Sequence, residues 1–140
     1  MKVLIAVDGS AYTKRMLAYL ASHDEWFGAK HSYTVVHSVL AVPHRAAAFV
    51  GQQQVREFYE ADAELVFGPI RAFFAQHGIE ASFVHTVGHA AQSIAYLAQE
   101  GKFDLIVMGS RGHGEIANMV LGSVTTKVLA KCSVPVLLVR

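Results

Sequence analysis

The stretch Phe103-Asp104-Leu105-Ile106-Val107-Met108 runs directly into Gly109-Ser110-Arg111-Gly112, and nine residues later comes Gly122-Ser123-Val124-Thr125. An apolar run of strand length, a glycine pair and the start of a helical stretch together make a loop suited to phosphate. Gly109 and Gly112 let the backbone approach an anion and turn N–H groups toward it. Ser123 can open a helix whose first N–H groups lack internal partners and favour negative charge. Arg111 adds a planar, forked donor that matches phosphate oxygens. A lone glycine pair is a weak signal, so the reading rests on the company these glycines keep.

Outward from this stretch, strand-length apolar runs alternate with segments of helical period. The runs are Val3–Val7, Ser32–Leu40, Ala81–Thr86, Phe103–Met108 and Val134–Val139; the helical segments are Thr13 to Ser22, Gln52 to His77, Ala90–Glu100 and Ser123–Lys131. Repetition of β then α implies an α/β fold with a parallel sheet covered by helices on both faces. In the segment from Gln52, Val55, Phe58, Tyr59, Leu65, Val66, Phe73 and Phe74 recur at three- and four-residue steps and predict one buried face, with a kink at Gly68-Pro69. Residues 40–51 have no clear period and read as a loop at a strand's carboxyl end, placed to cover a ligand.

Composition narrows the function classes. With 140 residues, 53% hydrophobic and 16% charged, the chain fits one well-buried domain, residues 1–140. A formal net charge of +1 without a basic cluster gives no footprint for nucleic acid or an anionic membrane. The apolar runs are too short to span a bilayer, and Asp8 cuts the first one short, so it reads as a strand rather than a leader. A cytoplasmic location is the default expectation. The single cysteine, Cys132, excludes an intrachain disulfide and a multi-cysteine zinc site, and is expected to pack on the last helix.

The glycine stretch, continued through Thr126-Lys127-Val128-Leu129 and Val134-Pro135-Val136-Leu137-Leu138-Val139, resembles the ATP-binding branch of the universal stress protein family. Gly109, Gly112, Gly122 and Ser123 match that family's Gly-x2-Gly-x9-Gly-Ser/Thr pattern, and Val7-Asp8-Gly9-Ser10 matches its opening strand and turn. The resemblance spans essentially the whole chain. It implies a Rossmann-like, adenine nucleotide alpha hydrolase-like fold with strand order 3-2-1-4-5. Strands 1 and 4 are then neighbours where the winding reverses, and ligands bind at such a reversal. It further implies ATP, AMP or ADP as ligand. Asp8 would lie at the ribose or at a Mg or Mn ion, with Gly9 beside it at the nucleotide, Ser38 and Val39 at the adenine edge, and Gly109, Arg111, Gly112, Gly122, Ser123, Val124 and Thr125 at the phosphates. A homodimer through the apolar last strand, Val134 to Val139, is implied too, and an edge strand offers the unpaired backbone for it.

Other patterns have plainer readings. Gly112-His113-Gly114-Glu115-Ile116-Ala117 fits G-x-G-x-x-A, but no further strand with an acidic residue follows it, against a dinucleotide site. Thr86-Val87-Gly88-His89 echoes a nucleotidyltransferase signature on the wrong strand and reads as a turn and helix start. His85 and His89 have i,i+4 spacing, but Gly88 between them marks a turn, which argues against a metal pair. His37 reads as a packed or loop-facing residue, and His113 as the one histidine in the phosphate loop. Asp8 equally suits an Asx turn, and Ser10, Thr13 and Ser123 suit helix caps. Without G-x-x-x-x-G-K-[ST] or an evident base for water, binding is better supported than turnover. The leading reading is an ATP-binding stress-response regulator acting through dimer or partner contacts. The alternatives are a slow metal-dependent ATPase or phosphotransfer enzyme, and an interaction module with an empty loop.

Overall fold

Parallel strands buried on both faces need apolar residues at every position rather than at alternate ones. Val3, Leu4 and Ile5 meet that demand: all three are fully buried, and they alternate between two cores. The computed structural model describes residues 1–114 and 117–140. Its elements are β1 (Lys2–Ala6), α1 (Ala11–Ala21), α2 (Asp24–Phe27), β2 (Ser32–Val39), α3 (His44–Val50), α4 (Gln52–Gln76), β3 (Ala81–Val87), α5 (Ala90–Glu100), β4 (Leu105–Gly109), α6 (Ser123–Lys131) and β5 (Val136–Val139). The five strands form one parallel sheet in the order β3-β2-β1-β4-β5, as the family pattern implies.

On one face Val3, Ile5, Val35 and Val107 pack under Met16 and Leu20 of α1 and Ala63, Phe67, Ile70 and Phe74 of α4. On the other, Leu4, Val36, Ile106 and Met108 pack under Ala91, Ile94 and Ala98 of α5 and Val128 of α6. Burying each larger side chain is worth about 1.5–3 kcal/mol, so the central strands anchor both layers. Among the described residues no helix is long and apolar enough to cross a membrane.

Several expectations need correction. The segment 40–51 is not all loop: His44–Val50 forms α3, bounded by Pro43 and Gly51. It buries none of its residues, so no apolar period marks it in the sequence. The short α2 was also unanticipated. In α4 the buried stripe is Ala63, Phe67, Ile70 and Phe74, flanked by Tyr59, Val66 and Phe73; Phe58 and Leu65 face solvent, at 54% and 78% exposed. The α4 helix runs 25 residues, with Pro69 of the Gly68-Pro69 pair inside it. Pro69 lies on the exposed side, where water can satisfy the carbonyl it leaves unbonded. Cys132 follows α6 in extended conformation rather than lying on it, and it packs partly buried against the second core.

Tyr33 ties the lower end of β2 to the α2 turn, its hydroxyl donating to the Gly28 carbonyl at 3.0 Å. Burial favours the neutral phenol and pushes its pKa from 10.0 up to about 12. The folded state therefore holds this proton more tightly than the unfolded chain. The resulting stabilisation is complete below pH 10.0 and is lost as pH rises toward about 12. In Tyr33→Phe this alkaline component should vanish, while the lost hydrogen bond costs about 0.5–1.5 kcal/mol at neutral pH. Urea unfolding of both proteins across that range checks it, and a stability difference independent of pH would contradict the assignment.

Candidate functional site

The crevice begins where β1 stops. Past Ala6 the chain turns through Asp8, Gly9 and Ser10 into α1, and Gly9 takes φ +77°, a left-handed conformation that favours glycine. The turn is locked by Asp8. Its Oδ1 accepts the Ser10 N–H at 2.9 Å and the Thr13 hydroxyl at 3.0 Å, and Thr13 Oγ1 in turn accepts the Asp8 N–H at 3.2 Å. The Asx-turn reading is thus correct, and it leaves Oδ2 free of any protein hydrogen bond among the described residues.

Oδ2 faces the glycine loop, so closely that a Cβ on Gly112 would overlap it. Gly122 is similarly constrained: a Cβ there would sit 3.2 Å from Arg111 Cα. Neither residue has positive φ, so their value lies in close approach of backbone rather than in a special conformation. The loop is fastened at its base. Ser110 N–H donates to the Val139 carbonyl and Gly122 N–H to the Ser110 carbonyl, both at 2.8 Å, and Thr125 Oγ1 donates to the Gly109 carbonyl at 3.2 Å. His113 Nε2 lies 2.7 Å from the Asp8 carbonyl, which can only accept, so Nε2 carries the proton. Glu115 and Ile116 lie outside the described residues, and with them part of the G-x-G-x-x-A match.

Gly122 occupies the N-cap of α6 without a side-chain cap. The first helical bond is Thr126 N–H to the Gly122 carbonyl, which leaves the N–H groups of Ser123, Val124 and Thr125 for an anion at the positive end of the helix. Arg111 extends beside Tyr12, its guanidinium carbon 6.0 Å from the ring centre.

The third wall comes from β2. Val7 N–H donates to the Val36 carbonyl at 2.9 Å, and Gly88 N–H to the Val39 carbonyl at 2.9 Å, so even-numbered β2 backbone groups point toward β1 and odd-numbered ones toward β3. Two residues beyond Val36, the Ser38 N–H and carbonyl point to where β1 has ended. No backbone partner among the described residues takes them. The Ser38 hydroxyl is held by Thr86 Oγ1 at 2.6 Å.

Together these elements enclose a cavity of about 220 Å³. Of the residues expected at the site, Asp8, Ser38, Gly109, Arg111, Gly112, Gly122, Ser123, Val124 and Thr125 all line it. Gly9 and Val39 do not. Gly9 faces Val66 of α4, and Val39 is 1% exposed, turned by strand alternation into the core under α4. Sequence reasoning missed the apolar half of the cleft, formed by Val36, Met108, Ala90 and Ile94. The available signal was the period-2 alternation that puts Val36 and Ser38 on one face of β2.

The sequence pattern described as the universal stress protein family matches residues 1–140. The chain belongs to that family. A universal stress protein of Thermus aquaticus is 34% identical over 144 residues, covering 99% of this chain and 97% of its own length. Universal stress protein UspA from Lactobacillus plantarum has a similar fold, with a TM-score of 0.77 at 20% identity over 100% of this chain and 97% of that one. So does the universal stress protein from Archaeoglobus fulgidus in complex with dAMP, at a TM-score of 0.69 and 21% identity over 100% and 98% of the two chains.

Gly112→Ala should force the glycine loop off Asp8 and break the His113 contact without touching either core of this family fold. Limited proteolysis should cut the loop faster in the variant at an unchanged thermal midpoint; equal cutting rates would show that the loop tolerates a Cβ there.

Proposed function

We propose that the crevice binds an adenine nucleotide, ATP or AMP, and that occupancy sets how the protein contacts a partner or a second copy of itself. The observation that carries this reading is the convergence on one cleft of donors without a protein partner among the described residues: the α6 N–H groups with Arg111 on one side, the Ser38 backbone on the other. The first set suits phosphate oxygens. The second, a donor and an acceptor side by side above an apolar wall of Val36, Ala90 and Ile94, suits the edge and face of a purine. The dAMP held by the Archaeoglobus fulgidus relative supports the same ligand class.

Asp8 has two roles in this account. Its Oδ1 is spent on the turn, and Oδ2 is available to the ribose hydroxyls or to a divalent ion. Among the described residues no group of three or more His, Cys, Asp or Glu side chains could hold a metal. Mg²⁺ or Mn²⁺ would therefore bind here through one carboxylate, phosphate oxygens and water, the usual manner of magnesium in nucleotide sites. Such an ion would neutralise phosphate charge beside Asp8. Asp8 Oδ1 already accepts two hydrogen bonds and His113 Nε2 donates to a carbonyl, which supports binding over turnover. A cytoplasmic nucleotide pool is the compartment this role implies.

The second copy would pair through β5. That strand lies at the sheet edge, shorter than its sequence suggested because Pro135 has no N–H, and Val136, Leu137 and Leu138 are only half-buried there. Freshly purified protein should release an adenine nucleotide detectable by mass spectrometry, or bind added AMP or ATP with magnesium in a calorimetric titration. Neither release nor binding would leave the cleft without this ligand. Light scattering at micromolar concentration should give twice the chain mass, and a monomer mass would remove the β5 contact from the account.

A further inference from the structure

At the point where β1 leaves the sheet, a side chain takes the place of a backbone donor. The β1–β2 ladder runs in register from Lys2 opposite Ser32 to Ala6 opposite Val36, and Val7 N–H adds one more bond to the Val36 carbonyl. In a parallel ladder the next bond would join the Val7 carbonyl to the Ser38 N–H. It is not made. Instead His37 Nδ1 approaches the Val7 carbonyl at 2.9 Å, and since a carbonyl only accepts, Nδ1 is the donor. The imidazole is held by packing edge-on against Phe67 of α4, with ring centres 6.2 Å apart and planes at 81°. Phe67 is itself 3% exposed and part of the core, so the ring's support is rigid.

We propose that His37 is a positioning residue for base recognition: by drawing the Val7 carbonyl toward its own Nδ1 it keeps the Ser38 N–H out of the ladder and free for the ligand. The proposal rests on the nucleotide reading for its ligand, but its structural half stands apart from that reading. A buried or half-buried N–H is rarely left unmade when a carbonyl lies within reach. Without a competing donor, the Val7 carbonyl would capture the Ser38 N–H, extend the ladder by one rung and close the base end of the cleft. His37 would thus shape the cleft without touching phosphate or reacting atoms.

Two measurements separate this role from general stability. The first is amide hydrogen exchange at Ser38 in the ligand-free protein. Fast exchange relative to Val36 is expected in wild type, slow exchange in His37→Leu, and fast exchange again in His37→Asn, whose side-chain N–H can stand in for Nδ1. A protected Ser38 amide in ligand-free wild type would overturn the proposal by itself, whether or not nucleotide binds. The second is affinity. AMP binding should weaken roughly five- to tenfold in His37→Leu, the worth of about one hydrogen bond, and recover in His37→Asn. Ribose 5-phosphate, which lacks the base, should bind both variants as it binds wild type. Equal losses for the two ligands would assign His37 a merely structural role. If wild type binds neither ligand, the nucleotide reading fails while the exchange pattern still decides the ladder.

Discussion

The end of β1 at Ala6 is the constraint on which the rest of this structure depends. A strand that stops while its neighbours continue leaves their backbone groups facing empty space, and here the neighbours are β2 on one side and β4 on the other. Each solves the problem differently. β4 leads into a loop whose amides are partly taken up by Val139 and Ser110, and whose return to α6 exposes helix N–H groups. β2 keeps its direction and presents the Ser38 backbone N–H and carbonyl, which have no backbone partner among the described residues. The crevice is therefore a by-product of sheet topology, furnished by glycines where side chains would fill it. This is the general reason that reversal points in such sheets hold ligands.

Charge in the crevice is balanced rather than uniformly positive. Asp8 Oδ2 lies directly against Gly112, inside the loop that suits an anion. A carboxylate there would repel phosphate unless offset. The offsets at hand are the α6 N-terminus and the Arg111 guanidinium, to which the proposed divalent ion would add. The arrangement explains why Asp8 is firmly held through Ser10 and Thr13, since a mobile carboxylate would compete with the ligand for the same donors.

Much of this was legible from residues alone, and the failures have physical causes. Strand positions announce themselves because double-sided burial demands continuous apolar runs such as Val3-Leu4-Ile5 and Ile106-Val107-Met108. The glycine spacing 109, 112 and 122 is legible because the backbone approaches a neighbour closely at each: a Cβ would crowd Tyr12, Asp8 or Arg111. The helix α3 escaped because it buries nothing, though Pro43 before it, Ala46-Ala47-Ala48 within it and Gly51 after it were helix signals in plain sight. Phe58 and Leu65 were assigned inward because periodicity identifies a stripe, not its centre; Ala63 and Phe67 define the true line of contact. Val39 was expected at the adenine edge from the family resemblance; its side chain packs in the core because alternation along a strand sends neighbouring side chains to opposite faces, while Ser38 lines the cavity. The role of His37 had no sequence signal, because it depends on a ladder bond that is missing.

The central claim is that donors from three separate elements converge on one ligand. Backbone amide chemical shifts recorded during AMP titration test it most directly. The account predicts concerted shifts at Asp8, at Ser38, at Gly109 to Gly112 and at Ser123 to Thr125, with β3 and the lower end of the sheet unchanged. Shifts confined to one of these segments, or appearing chiefly elsewhere on the molecule, would contradict it.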